Sequence, residues 1–180
     1  MRASSRRLLL FPVAAIASIA GCFDQTIDFS QPLTEQVTFN QASLNEIFPF
    51  DLSTQSAVQQ HKGNIDSISL KDAELSVISI DPSNNVTNVS GALSLRPDGA
   101  PLDGSQDVPV GSVNGLAITV GQSITVLGSS ALDAYFMSVI KGSLKGSVIL
   151  NGMSTSSSSP TVGNFTLKIT LHMSFAYNPI

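Results

Sequence analysis

Charge is scarce in this chain. Only 12% of its 180 residues are Asp, Glu, Lys or Arg, about half of the usual quarter. There is a single cysteine and no tryptophan, and histidine occurs twice. One cysteine excludes an intrachain disulfide framework and a thiolate zinc module, since each needs at least a pair. So few charges leave nothing to flank the apolar seam of a long coiled coil. Nine basic residues stand against thirteen acidic ones, a net charge of −4 with pI ≈ 4.9. That balance argues against nucleic acid as a partner, because phosphate binding needs a basic patch to displace counterions. What the chain does have is apolar content, 42%, on a length that suits one domain.

The first residues are organised differently from the rest. Arg2, Arg6 and Arg7 give a positive start, and an apolar run follows from Leu8 to Ala20. The run is shorter than the roughly 17–25 residues a membrane-crossing helix needs, and Pro12 interrupts it. A short apolar core between a basic start and small residues is the layout of a secretory signal. It ends in Ile19-Ala20-Gly21-Cys22, and here the sequence resembles the lipobox of bacterial lipoproteins. The resemblance implies a signal peptide over 1–21, cleavage before Cys22, and acylation of the Cys22 sulfur and of the new amino terminus. An ordinary signal peptide cut after Ala20 or Gly21 is the plainer alternative.

Cleavage before Cys22 leaves six basic and thirteen acidic residues, a net charge of −7. Attraction to anionic lipid then contributes nothing, and membrane residence must come from acyl chains, at about 0.8 kcal/mol per buried methylene. The lone thiol is used as the anchor, so stability rests on an apolar core. In Gram-negative lipoproteins an Asp directly after the acylated Cys favours retention in the inner membrane. Phe23 holds that position here and Asp24 the next, so for such a host the resemblance implies the outer membrane. The segment 22–32 reads as a lipidated tether, reaching at most ~35 Å when extended.

The remainder, 33–180, reads as all-β: an antiparallel β-sandwich of about seven to nine strands with one or two short helices. Phe165, Leu167, Ile169, Leu171, Met173, Phe175 and Tyr177 alternate with polar residues, the period-2 pattern of a half-buried strand. A strand over 143–151 precedes it, and the Ser-rich run 154–160 reads as a mobile hairpin loop between the two. Val37 and Phe39 mark an early strand. Ile68 and Leu70 slip register against Leu75 and Val77, which predicts a bulge near Lys71-Asp72-Ala73. Leu93 and Leu95 mark a strand stopped by Pro97-Asp98-Gly99. Val108 and Val110 flank Pro109 as an edge piece. Leu116, Ile118 and Val120 face Ile124 and Val126 across Gly121-Gln122, as in a tight hairpin. Leu132, Tyr135, Phe136, Val139 and Ile140 recur at helical spacing, with Ser130 and Asp133 resembling a capping box and Gly142 as the stop. A shorter helix over 54–62 is capped by Ser53.

Residues that could carry chemistry are few. No G-x-S-x-G elbow is present. Ser138-Val139-Ile140-Lys141 matches S-x-x-K, but no K-T-G or S-D-N-type element accompanies it, so an exposed helix side accounts for it. His61 and His172 have no second ligand beside them and read as surface histidines; no metal site or cofactor follows from them. The segment 96–110 places Asp98, Asp103 and Asp107 among Gly99, Gly104 and Ser105. A loop rich in carboxylates offers the oxygens that Ca²⁺ takes, while Asp-Gly is also ordinary turn vocabulary. Asp81-Pro82-Ser83-Asn84-Asn85 reads as a turn. N-x-[ST] triplets at Asn85, Asn88 and Asn164 are discounted in a bacterial chain.

Three functions compete. The first is a membrane-anchored envelope lipoprotein acting as a non-catalytic binding or structural accessory for an envelope protein partner. The second is a carrier of an apolar ligand such as lipid, suggested by the large apolar side chains of the last strand. The third is an enzyme with a carboxylate or loop-metal site. With no catalytic motif, the first is preferred.

Overall fold

The computed structural model describes residues 24–179. Eight strands and two helices follow in chain order: β1 (Gln25–Phe39), β2 (Ser43–Asp51), α1 (Ser56–His61), β3 (Ile65–Ile80), β4 (Val86–Pro97), β5 (Val108–Ala117), β6 (Ser123–Leu127), α2 (Ala131–Lys141), β7 (Lys145–Ser156) and β8 (Gly163–Tyr177). They form two four-stranded sheets, ordered β1-β8-β3-β6 and β2-β7-β4-β5, and every pairing is antiparallel. The protein is an all-β antiparallel sandwich. β1 pairs β8, β2 pairs β7, β3 pairs β6 and β4 pairs β5, so the chain is one long hairpin, tipped by β4–β5 and rolled onto itself. That is the jelly-roll arrangement.

The alternation of β8 dictates its place. Its odd-numbered residues from Phe165 to Tyr177 are all buried and its even ones half-buried, because it runs between β1 and β3 and has no free edge. The odd residues pack inward with Phe48, Leu93, Leu95, Val148 and Leu150 from the other sheet. α2 closes the sandwich at one end. Its helical-spaced set Leu132, Tyr135, Phe136, Val139 and Ile140 is buried, and Gly142 terminates it with its N–H on the Val139 carbonyl. Gly128 precedes α2 because any Cβ there would collide with the Leu70 carbonyl oxygen.

The bulge expected near Lys71 is present: the β3–β8 register shifts between Leu70 and Asp72, moving the inward set from Ile68 and Leu70 to Ala73, Leu75 and Val77. Pro109 lies in β5, an edge strand, as expected.

Several expectations are corrected. Residues 25–32, read as tether, are the first half of β1, with Gln25 opposite Tyr177. The Gly121 turn does not close a β5–β6 hairpin, because β5 pairs with β4 and β6 with β3. Gly121 instead donates to the Val77 carbonyl as the chain changes sheets. The Ser-rich run is likewise a passage between sheets. Ser154–Ser156 belong to β7, and the following turn is held by Asn85, whose Nδ2 donates to Ser158 Oγ and the Pro160 carbonyl and whose Oδ1 accepts from Val162 N–H. At α2, Ser130 makes no side-chain cap. Asp51, not Ser53, caps the turn Leu52–Thr54 that leads into α1. β2 was missed altogether, since Glu46 interrupts the inward series Leu44, Phe48, Phe50.

Candidate functional site

Four connections, 40–42, 81–85, 118–122 and 157–162, gather at the end of the sandwich away from Gln25. On the outer side of that end lies a cleft of about 310 Å³ lined by Gln36, Ser79, Ile80, Asp81, Pro82, Asn164, Phe165 and Thr166. Three strands build it. β1 and β8 place Gln36 opposite Thr166, and β3 and β8 place Ser79 opposite the same residue. All three point outward because the alternation sends Val37, Phe165 and Leu167 into the core.

The lining is wired together. Gln36 Nε2 donates to Asn164 Oδ1 at 2.9 Å, and Ser79 Oγ to Thr166 Oγ1 at 2.8 Å. Asn164 Nδ2 donates to Ser83 Oγ at 3.2 Å, and Ser83 donates onward to Asp81 Oδ1 at 2.7 Å. The Ser83 backbone N–H and then its hydroxyl hold the Asp81 carboxyl below the usual carboxylate range. One carboxylate, two amides and the hydroxyls of Ser79 and Thr166 suit a small uncharged or cationic group that donates hydrogen bonds. The lining includes no basic side chain to bind an anion.

The carboxylates singled out in the sequence are not brought together. Asp107 grips Arg96 with both oxygens, at 2.7 and 2.8 Å, and this bidentate pair is largely sheltered from solvent. The Asp107 contact raises the Arg96 pKa above its usual value. Asp103 Oδ1 accepts from the Ser105 N–H and hydroxyl, and Asp98 lies exposed in a turn. Among the described residues no three His, Cys, Asp or Glu side chains converge as metal ligands. Loop 98–107 is therefore held by an ion pair and an Asx turn, and Arg96 is the residue that sequence reasoning overlooked there.

His172 faces outward on β8 and sits 2.6 Å from Asp72, which the Lys71 bulge carries to that face. His61 packs its ring on Tyr177, centroids 3.9 Å apart. Ser138 donates to the Tyr135 carbonyl within α2, and Lys141 is exposed at the helix end. The apolar side chains of β8, which suggested a lipid carrier, are buried in the core between the sheets. Asn85 and Asn164 of the discounted triplets hold turns of the cleft end. Ile19, Ala20, Gly21 and Cys22 lie outside the described residues.

No family model and no curated protein matches the chain. Solved structures similar to it include the decameric BFDV capsid protein, 13% identical over 84% of this chain and 99% of that one, with a TM-score of 0.47. Another is the Macrobrachium rosenbergii nodavirus particle, 10% identical over 99% and 96%, TM-score 0.45. A third is the Desmodium yellow mottle tymovirus, 12% identical over 100% and 95%, TM-score 0.36. At such values the likeness carries no functional argument.

Proposed function

We propose that this protein is a lipid-anchored bacterial envelope lipoprotein whose sandwich serves as a non-catalytic binding module. The observation that carries this is the basic start, short apolar core and Ile19-Ala20-Gly21-Cys22 ending of the first 22 residues. Two features support it. Both four-stranded sheets are formed by strands that all lie downstream of Cys22, within residues 25–177, as an exported module requires. The cleft beside Gln36 and Asn164 offers amides, hydroxyls and one carboxylate for hydrogen bonding, which is the chemistry of recognition.

Metabolic labelling with radioactive palmitate tests the reading. The wild-type protein carries label and partitions with membranes, while Cys22→Ser carries none and is recovered in its unprocessed form. An unlabelled wild-type protein that is released as a soluble species overturns it.

A further inference from the structure

Only Phe23 and Asp24 separate Cys22 from the first residue of β1. Three peptide steps from Cys22 to Gln25 span at most ~11 Å however extended. Gln25 is no free end. It is paired across the sheet with Tyr177, whose hydroxyl donates to Gln25 Oε1 at 2.7 Å. His61 stacks on Tyr177, and Asn178 N–H donates to the Asn64 carbonyl. Gln25, Tyr177 and the corner 61–64 thus form one continuous surface.

From this, and resting on the lipoprotein reading above, we infer that the Gln25–Lys62–Tyr177 end of the sandwich lies in the phospholipid headgroup layer, with the strands standing on the bilayer. The tether imposes this contact; charge does not. Lys62 is the single lysine or arginine of the 61–64 corner, Asp66 lies four positions further on and Asp24 adjoins Gln25, and the chain from Cys22 onward carries a net charge of −7. β1 runs 14 residue steps from Gln25 to Phe39, a length of ~46 Å. The cleft at Gln36 and Asn164 is therefore held far from the lipid surface and opens toward whatever lies beyond it. A partner meets the cleft end without approaching the membrane, and it cannot reach the anchored end without displacing lipid.

The chain has no tryptophan, so a single introduced one is an unambiguous reporter. Lys62 and Gln41 are both exposed and occupy opposite ends. Lys62→Trp and Gln41→Trp are made separately in the full chain, isolated with their acyl chains and reconstituted into phosphatidylcholine vesicles containing headgroup-nitroxide lipid. Lys62→Trp loses most of its emission to the nitroxide, and Gln41→Trp loses none. Equal quenching of the two, or quenching of Gln41→Trp alone, overturns the orientation. A flexible Gly/Ser insert of about 25 residues after Asp24, with a root-mean-square reach of ~28 Å, releases Lys62→Trp from quenching. Persistent quenching with the insert overturns the claim that tether length sets the contact. Palmitate labelling of the same preparations reports separately on acylation. Where cells leave Cys22 bare, coupling its thiol to a maleimide lipid supplies an anchor at the same residue, and the same comparison then decides the geometry alone.

Discussion

At the scale of single residues, the most informative side chain is Glu46. Its register partner is Leu150, a fully buried core residue, and Leu44 and Phe48 on either side of it face the core. A carboxylate thus points inward at the rim of the apolar layer, and desolvation raises its pKa above the ordinary 4.5. The sign of the consequence is fixed by proton linkage. The folded state holds this proton more tightly than the unfolded state, so the penalty is absent below the ordinary value. Stability falls as pH rises through the raised one, and the penalty is then constant. Glu46→Gln raises the unfolding free energy read from urea denaturation at neutral pH, by under about 1 kcal/mol because water still reaches the carboxylate. It changes nothing below pH 4.5. Midpoints measured across this range check the expectation, and a variant less stable at neutral pH contradicts it. Glu46 also hid β2 from sequence reasoning, because an acidic residue inside Leu44, Phe48 and Phe50 breaks the alternation a strand advertises. Arg96 was hidden for the opposite reason. Nothing local reveals that a basic residue at a strand end will fold back on an Asp eleven positions later.

At the scale of elements, the sheets have four edge strands, β1, β6, β2 and β5. Three contain proline, at Pro32, Pro49 and Pro109, and the fourth is five residues long. Proline fits an edge only where its missing N–H points away from the neighbour, so each interrupts the outward row of donors that another chain could pair with. Pro49 lies in an edge strand that also exposes an apolar side chain, Ile47 at 43% two positions before it. Pro49→Val restores a continuous donor row flanked by apolar side chains. It leaves the unfolding free energy within about 1 kcal/mol but makes the protein associate as concentration rises, as read by size-exclusion chromatography with light scattering. A variant that stays monomeric at concentrations where wild type does so removes the protective role. Elements were the scale most legible in the sequence. β8, α2 and the Lys71 bulge follow from periodicity alone, since burial on one side leaves a direct imprint on residue order. The connections were not legible. A Gly121-Gln122 turn between two apolar stretches looks identical whether the chain doubles back in one sheet or crosses to the other. The cleft was hidden for the same reason: Gln36, Ser79 and Asn164 meet only once β8 is placed between β1 and β3.

At the scale of the whole molecule, the rolled hairpin makes chain order and spatial order run against each other. β4 and β5 are the only sequential neighbours that pair. β1 must find β8 across the full length of the described chain, as Gln25 and Tyr177 do. β1 and β3 never touch edge to edge; both pair with β8. Until the last residues of the chain are available, the first sheet has no centre, and Val37, Leu75 and Val77 have no buried surface to complete. The loss of β8 is therefore not the loss of one strand from eight. It removes Phe165, Leu167, Ile169, Leu171, Met173 and Phe175, each at most 1% exposed, and with them every ladder of β1. Burial of a single such side chain is worth about 1.5–3 kcal/mol, so the six together approach or exceed the roughly 5–15 kcal/mol that hold an entire domain folded. A chain ending at Val162 is expected to lack the β-sheet circular dichroism signal of the full protein, to show no cooperative unfolding transition and to aggregate. Adding residues 163–180 back as a separate peptide restores the signal, because the whole of β8 lies within it and the truncated chain retains the β1 and β3 residues that pair with it. A truncated chain with a native-like spectrum and a sharp transition would mean that the second sheet and α2 stand alone, and that the sandwich is two units rather than one.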